Sequence, residues 1–396
     1  MKTLYLFTSE YPYGIIENFL EVEIGYLCSQ FERVVIVPIS GAGKPKRQVP
    51  INCQVLTPIR HGKWNALLHG FSIRRFPFFA KEFFMEQVWK KKTRIKSFFI
   101  AVVNVNNYLH SPVFNRILKQ VSSDDVFYSY WGKVGTDLWP FVEGKAKLVS
   151  RFHGDWDLWG SCEDYAPFRK VVGKVLDAGA FVSDKGKRFF LNHWNLHNAY
   201  VFPLGTINKG YISHPSTDGI LRIVSCSAIY QVKRVDLLCR ALQLIEDRVV
   251  EWTHIGGGRG NVESEEVTQL KKLVMQTRPN IRITLTGAMN NADVLLYYQN
   301  NPVDLFVNVS SIEGVPVSIM EAISYNIPVV ATDVGATCEV VTEESGILIS
   351  ANPSMQEIKD AILAVASSKF SPKEHWNKHF NAEKNYTLWA KFLYNL

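Results

Sequence analysis

Apolar residues come along this chain in short runs separated by amphipathic stretches. In the first half LYLFTS, RVVIVPI, VFYSYW, KLVSRF, AFVSD and AYVFPLG have the length and the β-branched or aromatic content of buried strands. In the second half RIVSCSA, EWTHIGG, RITLTG, DLFVNVS, PVVATDV and GILIS do the same. Helical periodicity fills the intervals, as in ENFLEVEIGYLCSQF at 17–31. Runs that stay apolar throughout suit a parallel sheet covered on both faces. Their alternation with helical stretches predicts the α/β class. The pattern pauses at TINKGYISHPSTDG, residues 206–219, which is rich in turn formers, and then restarts. The expectation is two parallel-sheet domains, 1–205 and 220–370, with 206–219 as linker. The remainder, 371–396, predicts an aromatic-studded helical tail with the first domain as one candidate partner.

Length supports that division, because 396 residues exceed one ordinary core. Apolar content of 47% and charged content of 20% are those of a folded protein. No run of about eighteen apolar residues exists, so no membrane span is expected. The opening MKTLYLFTSEYPYG lacks a signal-peptide core and reads as a first buried strand. Six cysteines, Cys28, Cys53, Cys162, Cys226, Cys239 and Cys338, show no paired spacing. That favours reduced thiols in a cytosolic protein over a disulfide frame or zinc site.

Net charge is +7, and it is concentrated. Residues 60–96 carry ten Lys or Arg against two Glu, interleaved with Phe, Trp and Leu. Basic plus aromatic residues on one segment fit docking on anionic lipid headgroups. A solvated basic helix face or a nucleic-acid patch is the plainer alternative.

The densest chemical signal is DLFVNVSSIEGVPVSIMEAISYNIPVVATDVG at 304–335. It predicts strand, loop, helix and strand, with Glu313 and Glu321 eight residues apart across the loop–helix junction. A helix start presents free N–H groups and suits a phosphate. A loop carboxylate beside it can accept hydrogen bonds from hydroxyls. Phosphate next to hydroxyls describes a nucleotide sugar. Ser318 and Glu321 also have the spacing of a capping box, which needs no ligand. HIGGGRGN at 254–261 admits a ligand close to its backbone or forms a plain turn. The first strand–helix turn has only Gly14, so the dinucleotide fingerprint is missing.

SSIEGVPVSIMEAISYNIPVVATDVG resembles the signature of glycosyltransferase family 4, retaining enzymes of the GT-B fold. IVSCSAIYQVKRVDLL, WTHIGGG, LTGAMNNADVLLYY and RFHGDWDLW extend the likeness, which is weak before residue 120 and strong after 220. The branch looks like bacterial transferases for surface polysaccharide. The resemblance implies two Rossmann-like domains facing a cleft. It assigns the donor sugar's hydroxyls to Glu313, the diphosphate to Lys233 and the transferred sugar's surroundings to His153. Gly314, Val315, Pro316 and Val317 would line the sugar and phosphates, with Gly257 on the donor side and Glu321 on the ribose. Gly14, Glu17 and Asp157 fall on the acceptor side.

Two departures stand out. The family's arginine five positions before the lysine is Ala228 here, and Arg234 is the nearby candidate to grip phosphate in its place. Ile15 and Ile16 stand where the first turn commonly has another small residue. Asp155-Trp156-Asp157 forms a D-x-D, read as structural or acceptor-side, with no metal and no cofactor expected. His61, His69, His193, His197 and His254 show no ligand spacing and read as core or surface residues.

The expected function is transfer of a sugar from a nucleotide donor to a growing, lipid-linked surface glycan. The expected location is the inner face of the cytoplasmic membrane, reached peripherally. Alternatives are a phosphorylase or epimerase on the same fold, and a nucleotide-sugar-binding partner of another transferase.

Overall fold

A computed structural model describes residues 2–14, 17, 19–59, 73–133, 135–154, 157, 165–194 and 197–396. The chain divides into two compact units, 1–203 with 383–396, and 204–382.

Unit 1 holds a seven-stranded parallel sheet: β1 (Thr3–Thr8), β2 (Arg33–Pro38), β3 (Cys53–Val55), β4 (Val126–Ser129), β5 (Lys147–Phe152), β6 (Ala178–Phe181) and β7 (Ala199–Val201), in the order β3-β2-β1-β4-β5-β6-β7. Its helices include α1 (Leu20–Gln30), α2 (Phe76–Met85), α3 (Lys92–Leu109), α4 (Pro112–Gln120), α5 (Arg169–Val175) and α6 (Asp184–Trp194).

Unit 2 holds six parallel strands: β8 (Leu221–Cys226), β9 (Val250–Ile255), β10 (Ile281–Leu285), β11 (Leu305–Asn308), β12 (Val329–Thr332) and β13 (Gly346–Ile349), in the order β10-β9-β8-β11-β12-β13. Its helices are α7 (Val235–Leu242), α8 (Glu265–Val274), α9 (Asn291–Asn300), α10 (Val317–Ser324), α11 (Thr337–Val340), α12 (Met355–Ala366) and α13 (Pro372–His379) among the described residues. The last helix, α14 (Ala382–Tyr394), belongs to unit 1 except for its first residue.

Strand side chains alternate between two cores, as a pleated sheet requires. In β1, Tyr5 and Phe7 join Phe127, Trp139 and Phe152 on one face. Leu4 and Leu6 join Leu27, Val34, Trp389 and Leu393 on the other. Thus α14 fills the second face of the first sheet. A buried ion pair fixes it there. Glu23 Oε2 accepts from Arg151 Nη1 at 2.6 Å, with neither side chain exposed. Glu23 Oε1 accepts from Tyr128 Oη and Trp389 Nε1, both at 2.9 Å.

Several expectations meet a different arrangement. The apolar runs missed β3, a three-residue edge strand with little hydrophobic content. Residues 206–219 are fastened to unit 2: Asn208 Nδ2 donates to the Ser324 carbonyl at 2.7 Å, and Ser213 N to that of Tyr325 at 2.8 Å. The tail divides at 382, with α13 in unit 2 and 383–396 in unit 1. Each sheet reverses its strand order once, at β1/β4 and at β8/β11. In open parallel sheets the carboxyl ends of the strands at such a reversal form the ligand crevice.

Candidate active site

The reversal in unit 2 is where the chemistry gathers. Lys233 ends a short 3-10 turn, Gln231–Lys233, soon after β8, and Glu313 follows β11. Neighbouring strands therefore deliver a cation and a carboxylate from sequence positions eighty apart. Lys233 Nζ lies 2.6 Å from Glu313 Oε1, with side-chain exposures of 17% and 12%. Solvent reaches this pair, unlike the sealed pair in unit 1. Asn308 Nδ2 also donates to Glu313 Oε1 at 3.1 Å, while Asn308 Oδ1 accepts from Ser310 N at 2.9 Å. The last residue of β11 thereby orients the carboxylate.

Behind Glu313 the chain turns through Gly314 and Val315 into Pro316, the N-cap of α10. That loop lies against the segment after β12, where Ala336 N donates to the Gly314 carbonyl at 2.9 Å. At Gly335, with φ +56°, a Cβ would stand 1.8 Å from the Glu313 carbonyl oxygen, so only glycine fits. The first intrahelical bonds run from Ile319 and Met320 to Pro316. The N–H groups of Val317 and Ser318, at N1 and N2, have no partner within the helix.

The capping-box alternative is not realised. Pro316 is the cap, no side chain among the described residues caps the helix, and Glu321 Oε1 instead accepts from Asn291 Nδ2 at 2.6 Å. Glu321 is half-buried. Burial lifts its carboxyl to about 7, with the Asn291 hydrogen bond pulling the other way. Gly257 lies in the loop after β9, where its carbonyl accepts from Ile229 N at 2.7 Å. At neighbouring Gly256, with φ +146°, a Cβ would strike the Ser227 carbonyl oxygen at 1.8 Å. The glycine run thus serves close packing of the loops after β8 and β9.

Arg234 departs from its expected use. Its backbone is left-handed, with φ +49°. Its Nε donates to the Val309 carbonyl at 2.6 Å, and Nη2 to those of Ser310 at 2.8 Å and Ala351 at 2.9 Å. The guanidinium ties the loop after β11 to the segment after β13 and, in this geometry, does not present two free N–H groups to a phosphate.

In unit 1 the residues expected on the acceptor side gather at the β1/β4 reversal. Glu17 accepts from the main-chain N–H groups of Ser9 (2.7 Å), Glu10 (2.9 Å) and Tyr11 (2.7 Å), and from Trp131 Nε1 (2.9 Å). Its carboxylate shapes the loop after β1. Gly14 closes that loop, since a Cβ there would lie 2.0 Å from Glu10 Oε2. The ring of Trp131 is 4.6 Å from that of His153.

His153 Nε2 is 2.9 Å from the Tyr130 carbonyl, which can only accept, so Nε2 carries the hydrogen and Nδ1 is left as an acceptor. Burial, reinforced by the Arg151 charge, holds the ring well below its usual pKa and therefore neutral. Asp157 Oδ2 accepts from His153 N at 2.9 Å, and burial raises its carboxyl to about 7. Asp157 acts on the loop backbone. Asp155 and Trp156, like Ile15 and Ile16, lie outside the described residues, as do 60–72 of the basic segment. No group of three metal-ligating side chains occurs among the described residues.

Residues 213–382 match the family model described as Glycosyl transferases group 1. The chain is 26% identical over 200 residues to the GtfA subunit of the UDP-N-acetylglucosamine–peptide N-acetylglucosaminyltransferase of Streptococcus agalactiae. That likeness covers 49% of this chain and 37% of the relative, so the chain spans little over a third of the relative's length. Among solved structures, HepE of Anabaena in complex with UDP is similar over 100% of both chains, at 16% identity and a TM-score of 0.68. The lipopolysaccharide outer core galactosyltransferase WaaB is similar over 100% of this chain and 98% of its own, at 14% identity and a TM-score of 0.63. The fold is GT-B.

Within this GT-B chain, sequence reasoning missed three side chains at the unit 2 site. Asn308 and Asn291, which bond the two glutamates, sit at a strand end and a helix start, where asparagine also serves ordinary capping. Arg259 lies just past the glycine run and holds its guanidinium 5.7 Å from the ring centroid of Tyr230. Tyr230 in turn accepts from Lys233 N at 2.9 Å, so Arg259 stands beside the lysine's turn. The only sequence signal for it was a cation after a glycine-rich loop.

Proposed function

We propose that this chain is a retaining glycosyltransferase that moves a sugar from a nucleoside-diphosphate donor to a growing, lipid-linked bacterial surface glycan. The observation that carries the reading is the solvent-reached Lys233–Glu313 pair at the β8/β11 reversal, beside the start of α10. An oxygen of the acceptor bonds to the anomeric carbon as the bond from that carbon to the diphosphate oxygen breaks. The electron pair stays on the phosphate oxygen, which takes the acceptor's proton on the same face. Negative charge therefore grows on the phosphate in the transition state. Lys233 and the N–H groups of Val317 and Ser318 stabilise it there more than in the ground state.

Glu313, oriented by Asn308, accepts hydrogen bonds from the sugar hydroxyls and holds the reacting carbon in place. Glu321 accepts from the ribose hydroxyls. Neutral His153 offers Nδ1 to a sugar hydroxyl, and the Glu17 loop shapes the acceptor side. With Arg234 engaged by carbonyls, Arg259 is the further cation we assign to the departing diphosphate. No resident cofactor enters this scheme. The UDP named for HepE and the UDP-sugar named for the GtfA enzyme support a uridine nucleotide donor. The lipopolysaccharide substrate named for WaaB supports a surface glycan as acceptor.

The acceptor's lipid places the reaction at the cytoplasmic face of a membrane, and unit 1 offers a surface for it. Phe76, Phe84, Met85, Trp89, Phe99 and Ile100 are exposed large apolar side chains on α2, α3 and the turn between them. Lys81, Lys90, Lys92 and Lys96 share those elements. Among the described residues no helix is long and apolar enough to cross a membrane. Cosedimentation with anionic vesicles, weakening as salt rises, is the expected result.

The deciding experiment screens nucleotide sugars by thermal shift and then measures nucleoside diphosphate release with lipid-linked acceptor. One donor should stabilise the fold and turn over, and Lys233→Ala should lose at least about tenfold in rate. Phosphorolysis without nucleotide release, or unchanged turnover in both Lys233→Ala and Glu313→Ala, would overturn the assignment.

A further inference from the structure

Two cysteines that look unrelated in the sequence meet in unit 1. Cys28 lies on α1 and Cys53 opens the edge strand β3. Their Sγ atoms are 3.0 Å apart, both side chains are half-buried, and both are free thiols. The backbone, not the sulfurs, brings them together. Asn52 Nδ2 donates to the carbonyls of Cys28 at 2.8 Å and Phe31 at 3.0 Å, binding the turn before β3 to the end of α1. Cys53 is then held opposite Val34 by the parallel pairing of β2 with β3. Both cysteines pack against the core that contains Tyr11, Ile24, Leu27 and Val34. The pair is thus assembled on a helix and a sheet edge, with the entropy of bringing the sulfurs together already met by the fold.

We propose that Cys28 and Cys53 form a covalent modification site, which a low-molecular-weight disulfide converts to an intramolecular disulfide. The thiolate of one cysteine attacks one sulfur of the reagent, whose S–S bond breaks and releases one thiolate. The other cysteine, once deprotonated, then attacks the protein sulfur of the mixed disulfide and releases the second. Two protein thiols are oxidised, and the reagent is reduced to two thiols that take up the two protons. Either sulfur can donate to the other across 3.0 Å, so the contact stabilises a thiolate at one of them by a hydrogen bond from its neighbour.

The bond would close the segment 29–52 and remove freedom from the unfolded chain. It would clamp β3 to the helix that carries Glu23, without placing a new group in either site described above. This site stands apart from the transfer reaction and does not depend on it.

The test treats the full chain with oxidised glutathione, blocks remaining thiols and maps peptides by mass spectrometry. A Cys28–Cys53 cross-linked peptide should accumulate, with both residues protected from alkylation. The thermal midpoint should rise by about 5 °C and fall back on reduction. Cys28→Ala should trap glutathione on Cys53, because no resolving thiol remains. Stable glutathione adducts on Cys28 or Cys53 of the unaltered chain, or alkylation of both as fast as without oxidant, would overturn the proposal.

Discussion

Each unit of this protein contains a carboxylate–cation pair that measures 2.6 Å, Glu23–Arg151 in unit 1 and Glu313–Lys233 in unit 2. In unit 1 Glu23 and Arg151 have no solvent exposure, and Tyr128, Trp389 and the Phe202 carbonyl take part of their remaining hydrogen-bonding capacity. In unit 2 Lys233 and Glu313 keep 17% and 12% of their side-chain surface, and among the described residues only Asn308 adds a bond to the carboxylate. Equal distance therefore hides opposite roles. A sealed pair cannot exchange its partner for a ligand without unfolding its surroundings, so it fixes structure. A pair open to water can release its carboxylate to sugar hydroxyls and its cation to phosphate.

The strongest way to break this contrast is to remove one partner of the sealed pair. Arg151→Met leaves Glu23 buried without its cation and should cost about 3–5 kcal/mol in denaturant unfolding. Turnover per folded molecule should stay near that of the parent. A marginal stability change would place Glu23 and Arg151 in a softer environment than their burial indicates.

The open pair should behave the other way. Lys233→Ala should lower nucleoside diphosphate release at least about tenfold while moving the thermal midpoint by no more than about 2 °C. Loss of the fold in place of turnover would make the two pairs equivalent and dissolve the distinction.

The third test uses pH. Glu321 is lifted from its ordinary value of 4.5 to about 7 by burial, so ionising it opposes folding of the ligand-free protein. Its contribution to stability is fully present at low pH and is lost as pH rises from about 4.5 through about 7. Ribose hydroxyls bond more strongly to the ionised carboxylate, which accepts at both oxygens, than to the neutral acid. Donor affinity should accordingly strengthen several-fold between pH 6 and 8, and Glu321→Gln should flatten that profile. An unchanged slope in the variant would assign the titration to another group.

The smallest effect sharpens the contrast within unit 2. Asn308→Ala frees the Glu313 carboxylate from its orienting bond and should reduce kcat a few-fold with little change in donor KM. A change in KM alone would make Asn308 a donor contact and not a positioning residue.

Much of the fold was legible because fully buried parallel strands must be apolar along their whole length. Among the described residues, twelve of the thirteen strands overlap runs such as RVVIVPI and DLFVNVS. The exception, Cys53–Val55, is a short, partly covered edge strand like Ala199–Val201, but its CQV lacks the apolar run that AYVFPLG supplies. The Lys233 and Glu313 contributions could be named from local motifs. Their contact could not, since it depends on β8 and β11 pairing across the reversal of strand order.

By itself the sequence determined the periodicities, the two parallel sheets and the residue types that can meet phosphate and hydroxyl groups. Those properties are local, written into windows of ten to thirty residues. Only the tertiary structure decided which charges are sealed and which are open, that Arg234 faces carbonyls, that α14 completes the first unit and that Cys28 meets Cys53. Each of those outcomes depends on neighbours brought together by sheet order and packing, and desolvation is set by all the atoms around a group, not by its place in the chain.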